Sequence, residues 1–576
     1  MKRKGSFNVI NYNIASKKRK QINLFEQALE SVLSYTILDY FIEKYDYSNK
    51  CYPVLNLLLC NRSIYKLLIK CFVKRGLFDL TKIKDYPSEK RKLVSNIFIN
   101  EDKLWNFRNE NISSSLKTLI LQKFYQPLTE NIFPDSLVVI DFGPYFNQTV
   151  GCNILPKKLL KLKFGHEYNQ SLIKNALPDS LTQLTLGYLY NHPLIEGVLP
   201  KNLTQLSLGA SYNQPLTEGV LPKNLTQLSL GDSYNHPLAE NILPKKLTQL
   251  RFGCYFNHPL TKNVLPEKLT ILILGAYYNH PFVCDILPKN LTHLEVGYCH
   301  NQPLTKDIFP EKLTHLTLSN CFNHALTEGT LPENLTHLII GRLFNHPLNK
   351  YVLPKNLQSL TFESRWISNS VTINKSSFPV NLTQFTFTAI FNRKITKNMF
   401  PDSLTDLTFG CMFNKQINRN TLPQNLIRLT FGSYFNKPLT VKVLPKSLKY
   451  LHLGHNFNHP INKNVLPDNL FHIIFSYNFN QIITKNVLPK KLGVLEFGQC
   501  FNQKLIKGVL PNHLNKITFN ANFEQILNDD ILPQELYEII FITVVGEHVE
   551  LSHDWFCCSR KKVACALLYE IIFHRK

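Results

Sequence analysis

From about residue 113 onward, apolar and polar positions recur on one fixed spacing. The unit that opens at Pro200 runs Leu203, Thr204, Gln205, Leu206, Ser207, Leu208, Gly209. Leu206 and Leu208 point one way and Gln205 and Ser207 the other, which predicts a short strand buried on one face. Gly209 ends it, where the pattern predicts a turn conformation that a side chain would oppose. Tyr212-Asn213 and Pro215-Leu216 follow and carry the chain to the next Leu221-Pro222.

The Leu-Pro (or Phe-Pro) step sets the period. Its prolines stand at 134, 156 and every 22 residues to 354, then at 379 and every 22 residues to 533, with one step of 25 between the two runs. These nineteen anchors, with a second proline in ten units, absorb 29 of the 32 prolines in the 576-residue chain. The proline is therefore architectural, and a length that suggests about four ordinary domains reads as one array. Stacking such coils gives a parallel ladder with strands ~4.8 Å apart. Each coil is expected to bury about five apolar side chains, and only against its neighbours.

The block Phe256-Asn257-His258-Pro259-Leu260 continuing to Leu265-Pro266 resembles the FNIP repeat family, which is related to leucine-rich repeats and abundant in social amoebae and giant viruses. The resemblance implies a curved, leucine-rich-repeat-like solenoid over residues 111–545 and implies no catalytic activity.

Slots that recur in every unit are read as architecture. Asparagine fills one slot in sixteen units, where each amide is expected to satisfy backbone groups of the adjacent turn. The preceding aromatic is expected to stack as a core spine. Histidine follows the asparagine at 192, 236, 258, 280, 324, 346 and 459 and exchanges with Gln, Lys and Arg elsewhere, so the slot asks for a polar side chain and not a metal ligand.

Outward strand positions are not dictated by the fold. The first carries Gln183, Gln205, Gln227, Gln249, Ile271, His293, His315 and His337, and later Gln384, Asp406, Arg428, Tyr450 and His472. The second carries Thr185, Ser207, Ser229, Arg251, Ile273, Glu295, Thr317 and Ile339, and later Thr408, Thr430, His452 and Glu496. With leucine-rich-repeat handedness these line the concave face, where many modest contacts add up to protein binding. The residues selected for target binding are Arg251, His293, Glu295, His315, His337, Arg428 and His452. Trp366 joins them from the irregular unit between Pro354 and Pro379, whose three extra residues fall within Ser368–Ser377. The His293/His315/His337 ladder reads as an exposed polar row, with anion or metal binding as the alternative.

Residues 24–110 do not repeat, and Leu24–Tyr47 and Val54–Phe72 read as apolar helices. Their arrangement is similar to an F-box, a three-helix motif that docks onto the Skp-type adaptor of cullin ubiquitin ligases. The resemblance assigns that contact to Ile37, Leu38, Phe41, Leu55, Leu58, Leu59 and Cys60. The family's leading Leu-Pro is absent, with Ser34-Tyr35 near that place, and a helical cap over the first coil is the competing reading. Residues 546–576 leave the period and read as a closing helix.

Composition narrows the picture further. The formal charge is +24, from 65 Lys+Arg against 41 Asp+Glu, and residues 1–110 hold 21 basic and 11 acidic residues, leaving +14 spread thinly over the rest. That argues against a nucleic-acid groove. Lys2, Arg3 and Lys4 with Lys17, Lys18, Arg19 and Lys20 form two basic clusters in a tail over 1–23, read either as a bipartite nuclear import signal or as a solvated tail. The 13 cysteines include no C-x-x-C pair, and no apolar run reaches the length of a membrane span, so an intracellular setting, cytoplasmic or nuclear, is expected. No nucleophile–base set, phosphate loop or paired carboxylates stand out. The expected function is protein–protein interaction without a cofactor or metal: a substrate-recognition adaptor of a ubiquitin ligase, or alternatively a free-standing repeat scaffold.

Overall fold

The computed structural model describes residues 77–79, 96–99, 116–363, 375–388, 391–520 and 522–542. The basic tail, the F-box-like positions from Ile37 to Cys60, Trp366 and the closing segment from Gly546 lie outside these residues. The chain forms two compact units, one of residues up to His236 with Asn241–Leu247, the other of Pro237–Glu240 and Thr248 onward.

In the first unit the strands are β1 (Leu77–Asp79), β2 (Asn96–Ile99), β3 (Thr118–Leu121), β4 (Val139–Asp141), β5 (Lys161–Lys163), β6 (Gln183–Thr185), β7 (Gln205–Ser207) and β8 (Gln227–Ser229). Each pairs in parallel with the next. The second unit holds β9 (Gln249–Arg251), β10 (Ile271–Ile273), β11 (His293–Glu295), β12 (His315–Thr317), β13 (His337–Ile340), β14 (Ser359–Phe362) and β15 (Gln384–Phe387). It continues with β16 (Asp406–Thr408), β17 (Arg428–Thr430), β18 (Tyr450–His452), β19 (His472–Ile474), β20 (Val494–Glu496), β21 (Lys516–Asn520) and β22 (Glu538–Ile542), again parallel and sequential. Each unit is a parallel β-solenoid, and no α-helix occurs among the described residues. β1 and β2 fall inside the span 24–110 expected to be helical, and their pairing carries the ladder upstream of residue 111. The 25-residue step leaves the ladder intact: Ser359 lies opposite Gln384, and the extra residues are taken up between β14 and β15, where a 3-10 turn spans Lys375–Ser377.

One coil shows how the sequence makes this shape. After β7, three tight turns bring the chain round: Tyr212 N–H donates to the Gly209 carbonyl (3.0 Å), Val220 to Thr217 (3.3 Å) and Leu225 to Pro222 (3.0 Å). Seven apolar side chains point inward, Leu203, Leu206, Leu208, Tyr212, Leu216, Val220 and Leu221, all buried. That is two more than the five or so expected of a coil, because the turn corners also face the core.

The strand-end glycine works differently from the expectation. It is not left-handed in most coils; it is squeezed. A Cβ on Gly209 would stand 1.7 Å from the Gly187 carbonyl oxygen one coil earlier, and one on Gly275 1.9 Å from that of Gly253. The left-handed conformation sits instead three residues before 17 of the 19 anchor prolines. Gly219 (φ +86°) occupies it in one coil and Asn263 (φ 67°) in another, with Tyr351 and Lys442 as exceptions at φ 71° and 66°.

The aromatic spine forms as expected. Tyr168, Tyr190, Tyr212 and Tyr234 stack at 6.1, 6.2 and 6.3 Å, nearly parallel, and the second unit repeats the stack from Phe391 through Phe413, Phe435, Phe457, Phe479 and Phe501. Burial pushes the hydroxyl pKa of Tyr190 up to about 12, and the hydroxyls of Tyr168, Tyr190 and Tyr212 lack a hydrogen bond of ordinary geometry. The asparagines form a ladder at the coil corner: Asn213 N–H donates to Asn191 Oδ1 (2.9 Å), and Asn235 N–H to Asn213 Oδ1 (3.0 Å). The following residue supplies a further donor, His192 Nε2 to the Asn169 carbonyl (3.0 Å) or Gln214 Nε2 to Asn191 Oδ1 (3.2 Å). This explains why His and Gln exchange in that slot.

Candidate protein-binding surface

Within the second unit, rings of successive coils stack both outside and inside the coil: His293 and His315 outward on the strands at 4.1 Å, Phe409 and Phe431 inward at 5.6 Å, and Phe413 and Phe435 in the spine at 6.0 Å. On the outward face the alternation of the strands puts side chains from successive coils side by side in register.

On β11, β12 and β13 the register aligns His293, His315 and His337, whose rings stack at 4.1 and 4.2 Å. Each Nδ1 meets the hydroxyl of the preceding threonine, Thr292, Thr314 or Thr336, at 2.8–2.9 Å. Each of those hydroxyls already donates its one hydrogen to the threonine carbonyl of the previous coil, at 3.0–3.1 Å. The imidazoles must therefore donate from Nδ1, which leaves the Nε2 lone pairs as the free acceptors of the row. Burial and then the neighbouring His293 and His337 lower the pKa of His315, which favours its neutral form near pH 7. Among the described residues no three His, Cys, Asp or Glu side chains converge to hold a metal.

A second cluster spans β16 to β20. Asp406 Oδ1 lies 3.5 Å from Arg428 Nε, and the Arg428 guanidinium sits 5.4 Å from the centre of the Tyr450 ring. The edge of His472 meets Tyr450 at 5.0 Å, and His472 Nε2 lies 2.8 Å from Glu496 Oε1. That hydrogen bond holds the Glu496 carboxyl below its usual range, while burial lowers the pKa of His452 beside it. The arrangement is a strip that presents a cation, an aromatic and an anion in sequence, with Arg428 exposed and the other members half-buried. It offers recognition chemistry, with no group poised to attack a bond.

Of the positions selected from the sequence, His293, His315 and His337 come together, and Arg428 and His452 fall in the second cluster. Arg251 and Glu295 are exposed on β9 and β11 with Ile273 in register between them. Asp406, Tyr450, His472 and Glu496 are outward positions of the sequence pattern that join this cluster without being among the expected target-binding residues. The signal lay in their succession, because four first-slot positions in a row carry charged or aromatic residues in place of Gln.

No helix among the described residues is long and apolar enough to cross a membrane. The coil, its ladder and its outward face define a leucine-rich-repeat-like solenoid, a class of repeat protein that works through an extended side-chain surface. The family model described as FNIP Repeat matches in adjoining and overlapping stretches over residues 106–364 and again over 369–543. The chain belongs to the FNIP repeat family. Among solved structures it is similar to CroV588, described as a novel circular LRR protein, at 38% identity over 84% of this chain and 74% of that one, with a TM-score of 0.65. YopM from Yersinia enterocolitica matches at 20% identity over 80% of this chain and 90% of that one, with a TM-score of 0.40. An internalin from Listeria monocytogenes matches at 16% over 57% and 90%, with a TM-score of 0.33. No curated protein matches the chain.

Proposed function

We propose that this protein captures another protein on the outward face of its strands, without catalysis. The observation that carries the reading is the strip Asp406–Arg428–Tyr450–His472–Glu496, in which five consecutive strands contribute polar and aromatic outward side chains. Aromatic and arginine side chains of this kind anchor protein interfaces, and truncating a hot-spot anchor costs roughly 2 kcal/mol or more of binding. The test replaces Arg428, Tyr450 and His472 with alanine together and measures affinity for the partner recovered by cross-linking from the native host. Loss of about 30-fold or more is expected; unchanged affinity removes the strip from the interface.

On this reading the captured protein is handed to a ubiquitin ligase inside the cell, with Ile37, Leu38, Phe41, Leu55, Leu58, Leu59 and Cys60 docking a Skp-type adaptor. The support is the apolar helical pattern of residues 24–75 and its similarity to an F-box. Co-purification with and without residues 24–75 tests it. Recovery of the adaptor and cullin from the full chain alone supports the adaptor role, and recovery from neither leaves a free-standing scaffold.

A further inference from the structure

A different part of the second unit carries a site of another kind. At the coil corners between residues 414 and 500 lies an open groove of about 700 Å³, lined by Asn414, Tyr434, Asn436, Asn456, Asn458, Asn478, Asn480 and Cys500. No charged side chain is among them. The groove runs beside the spine rings from Phe413 to Phe501, four steps of 6.0, 6.0, 6.3 and 6.1 Å, so it extends over five coils.

Its two walls differ. One wall is the asparagine ladder, whose side-chain orientation is fixed because backbone N–H groups of the next coil donate to the oxygens. Asn458 N–H donates to Asn436 Oδ1 (3.1 Å), Asn480 N–H to Asn458 Oδ1 (3.0 Å) and Asn502 N–H to Asn480 Oδ1 (3.0 Å). Gln481 and Gln503 donate to the same oxygens of Asn458 and Asn480, each at 3.0 Å. The amino groups of Asn436, Asn458 and Asn480 make no hydrogen bond among the described residues, so this wall offers a row of donors at coil spacing.

The other wall is not required by the coil. Its slot holds Ser211, Ser233, Tyr255, Cys299 and Leu343 in other coils, yet here it holds Tyr434, Asn456 and Asn478 in succession. Asn478 Nδ2 donates to Asn456 Oδ1 (2.9 Å), which also accepts from His455 Nδ1 (2.9 Å), and His455 stacks on Tyr477 at 4.4 Å. Two rows of amides therefore line the groove beside an exposed tyrosine ring.

We propose that this groove binds a neutral, extended oligosaccharide. Fixed amide donors suit the hydroxyl, ring and carbonyl oxygens of sugars, and the Tyr434 face suits the apolar face of a sugar ring. A polyanion would call for Lys or Arg in the lining, and a protein interface would call for buried apolar anchors; the groove has neither. The repeat of donors along its length matches a linear ligand with one acceptor set per unit.

The full chain is titrated calorimetrically with hexamers of β-1,4-linked glucose and of β-1,4-linked N-acetylglucosamine, at low and high salt. Heparin and an uncharged Gly-Ser peptide serve as probes of the competing ligand classes. Binding of at least one hexamer is expected, unchanged by salt because no ion pair forms. Tyr434→Ala and, separately, Asn456→Ala should each weaken it about tenfold, while the strand-face change His315→Ala leaves it unaltered. Neither groove position lies on a strand, the substitutions leave their backbone hydrogen bonds to the previous coil in place, and each variant is checked for the circular dichroism of the parent. Binding of neither hexamer, equal binding by the groove variants, or preference for heparin or the peptide would overturn the proposal.

Discussion

His300 stands where every neighbouring coil has Phe or Tyr, and this makes the second unit sensitive to acid. Its side chain is buried (2% exposed) and stacks on Tyr278 at 6.0 Å and on Phe282 at 5.1 Å, with Nε2 3.1 Å from the His280 carbonyl. Burial, opposed by that hydrogen bond and reinforced by His324 and His280, lowers the imidazole pKa from 6.5 to about 4. The unfolded chain thus takes up a proton near pH 6.5 that the folded chain refuses until about pH 4. The stability contribution is fully present above pH 6.5 and is lost as pH falls toward 4. At 1.36 kcal/mol per pKa unit the loss amounts to about 3 kcal/mol. His300→Phe restores the spine residue of the other coils and removes the titration. Because an array need not unfold in one step, the readout is hydrogen exchange of the amides from 278 to 322, measured at pH 7.5 and pH 5 in both proteins and corrected for intrinsic rates. Protection should fall with acid markedly more in the parent than in His300→Phe, where His315 is the remaining group of this stretch with a lowered pKa. Parallel profiles in the two proteins would refute the reasoning.

Other consequences follow from the coil. Gly209→Ala must open a 1.7 Å contact with the Gly187 carbonyl, and the strain plus strained ladder hydrogen bonds should cost about 3 kcal/mol or more. Gly219→Ala, at φ +86° but in an open corner, should cost only about 1 kcal/mol; urea midpoints that rank the two in reverse contradict this account. Tyr212→Phe removes a buried hydroxyl without ordinary hydrogen bonding and should be neutral or stabilising by about 1 kcal/mol, so a comparable loss in thermal denaturation would show that the hydroxyl matters. Lys442→Gly places the preferred residue in a left-handed slot and should stabilise by a few tenths to about 1 kcal/mol, with a lowered urea midpoint counting against it.

Much of the coil was legible before any coordinates, since a 22-residue period in proline, leucine, glycine and the aromatic–Asn pair can describe only a stacked array. The asparagine and aromatic ladders were legible for the same reason: a slot repeated sixteen times is doing the same structural job each time. The reason for glycine at the strand end was not legible. Tight approach and left-handed backbone both select glycine, and only the position of the previous coil's carbonyl separates them. Nor was the strip around Tyr450 and His472 picked out, because its contacts run between strands, 22 residues apart and partly along a diagonal from His472 to Glu496, which alternation along one strand does not reveal. The asparagine groove was hidden by its own regularity. Its ladder wall looks the same in every coil, and the variable wall becomes meaningful only when Asn456 and Asn478 line the same groove.

The central claim is that the strand face, and not the coil corners, meets the protein partner. A photoreactive phenylalanine analogue placed at 293, 337 or 450 on that face, and at 437 or 485 on the corners, tests it directly in the native host. Adducts with one protein from the strand-face positions and none from the corners are the predicted result. Adducts from the corners alone would contradict the claim.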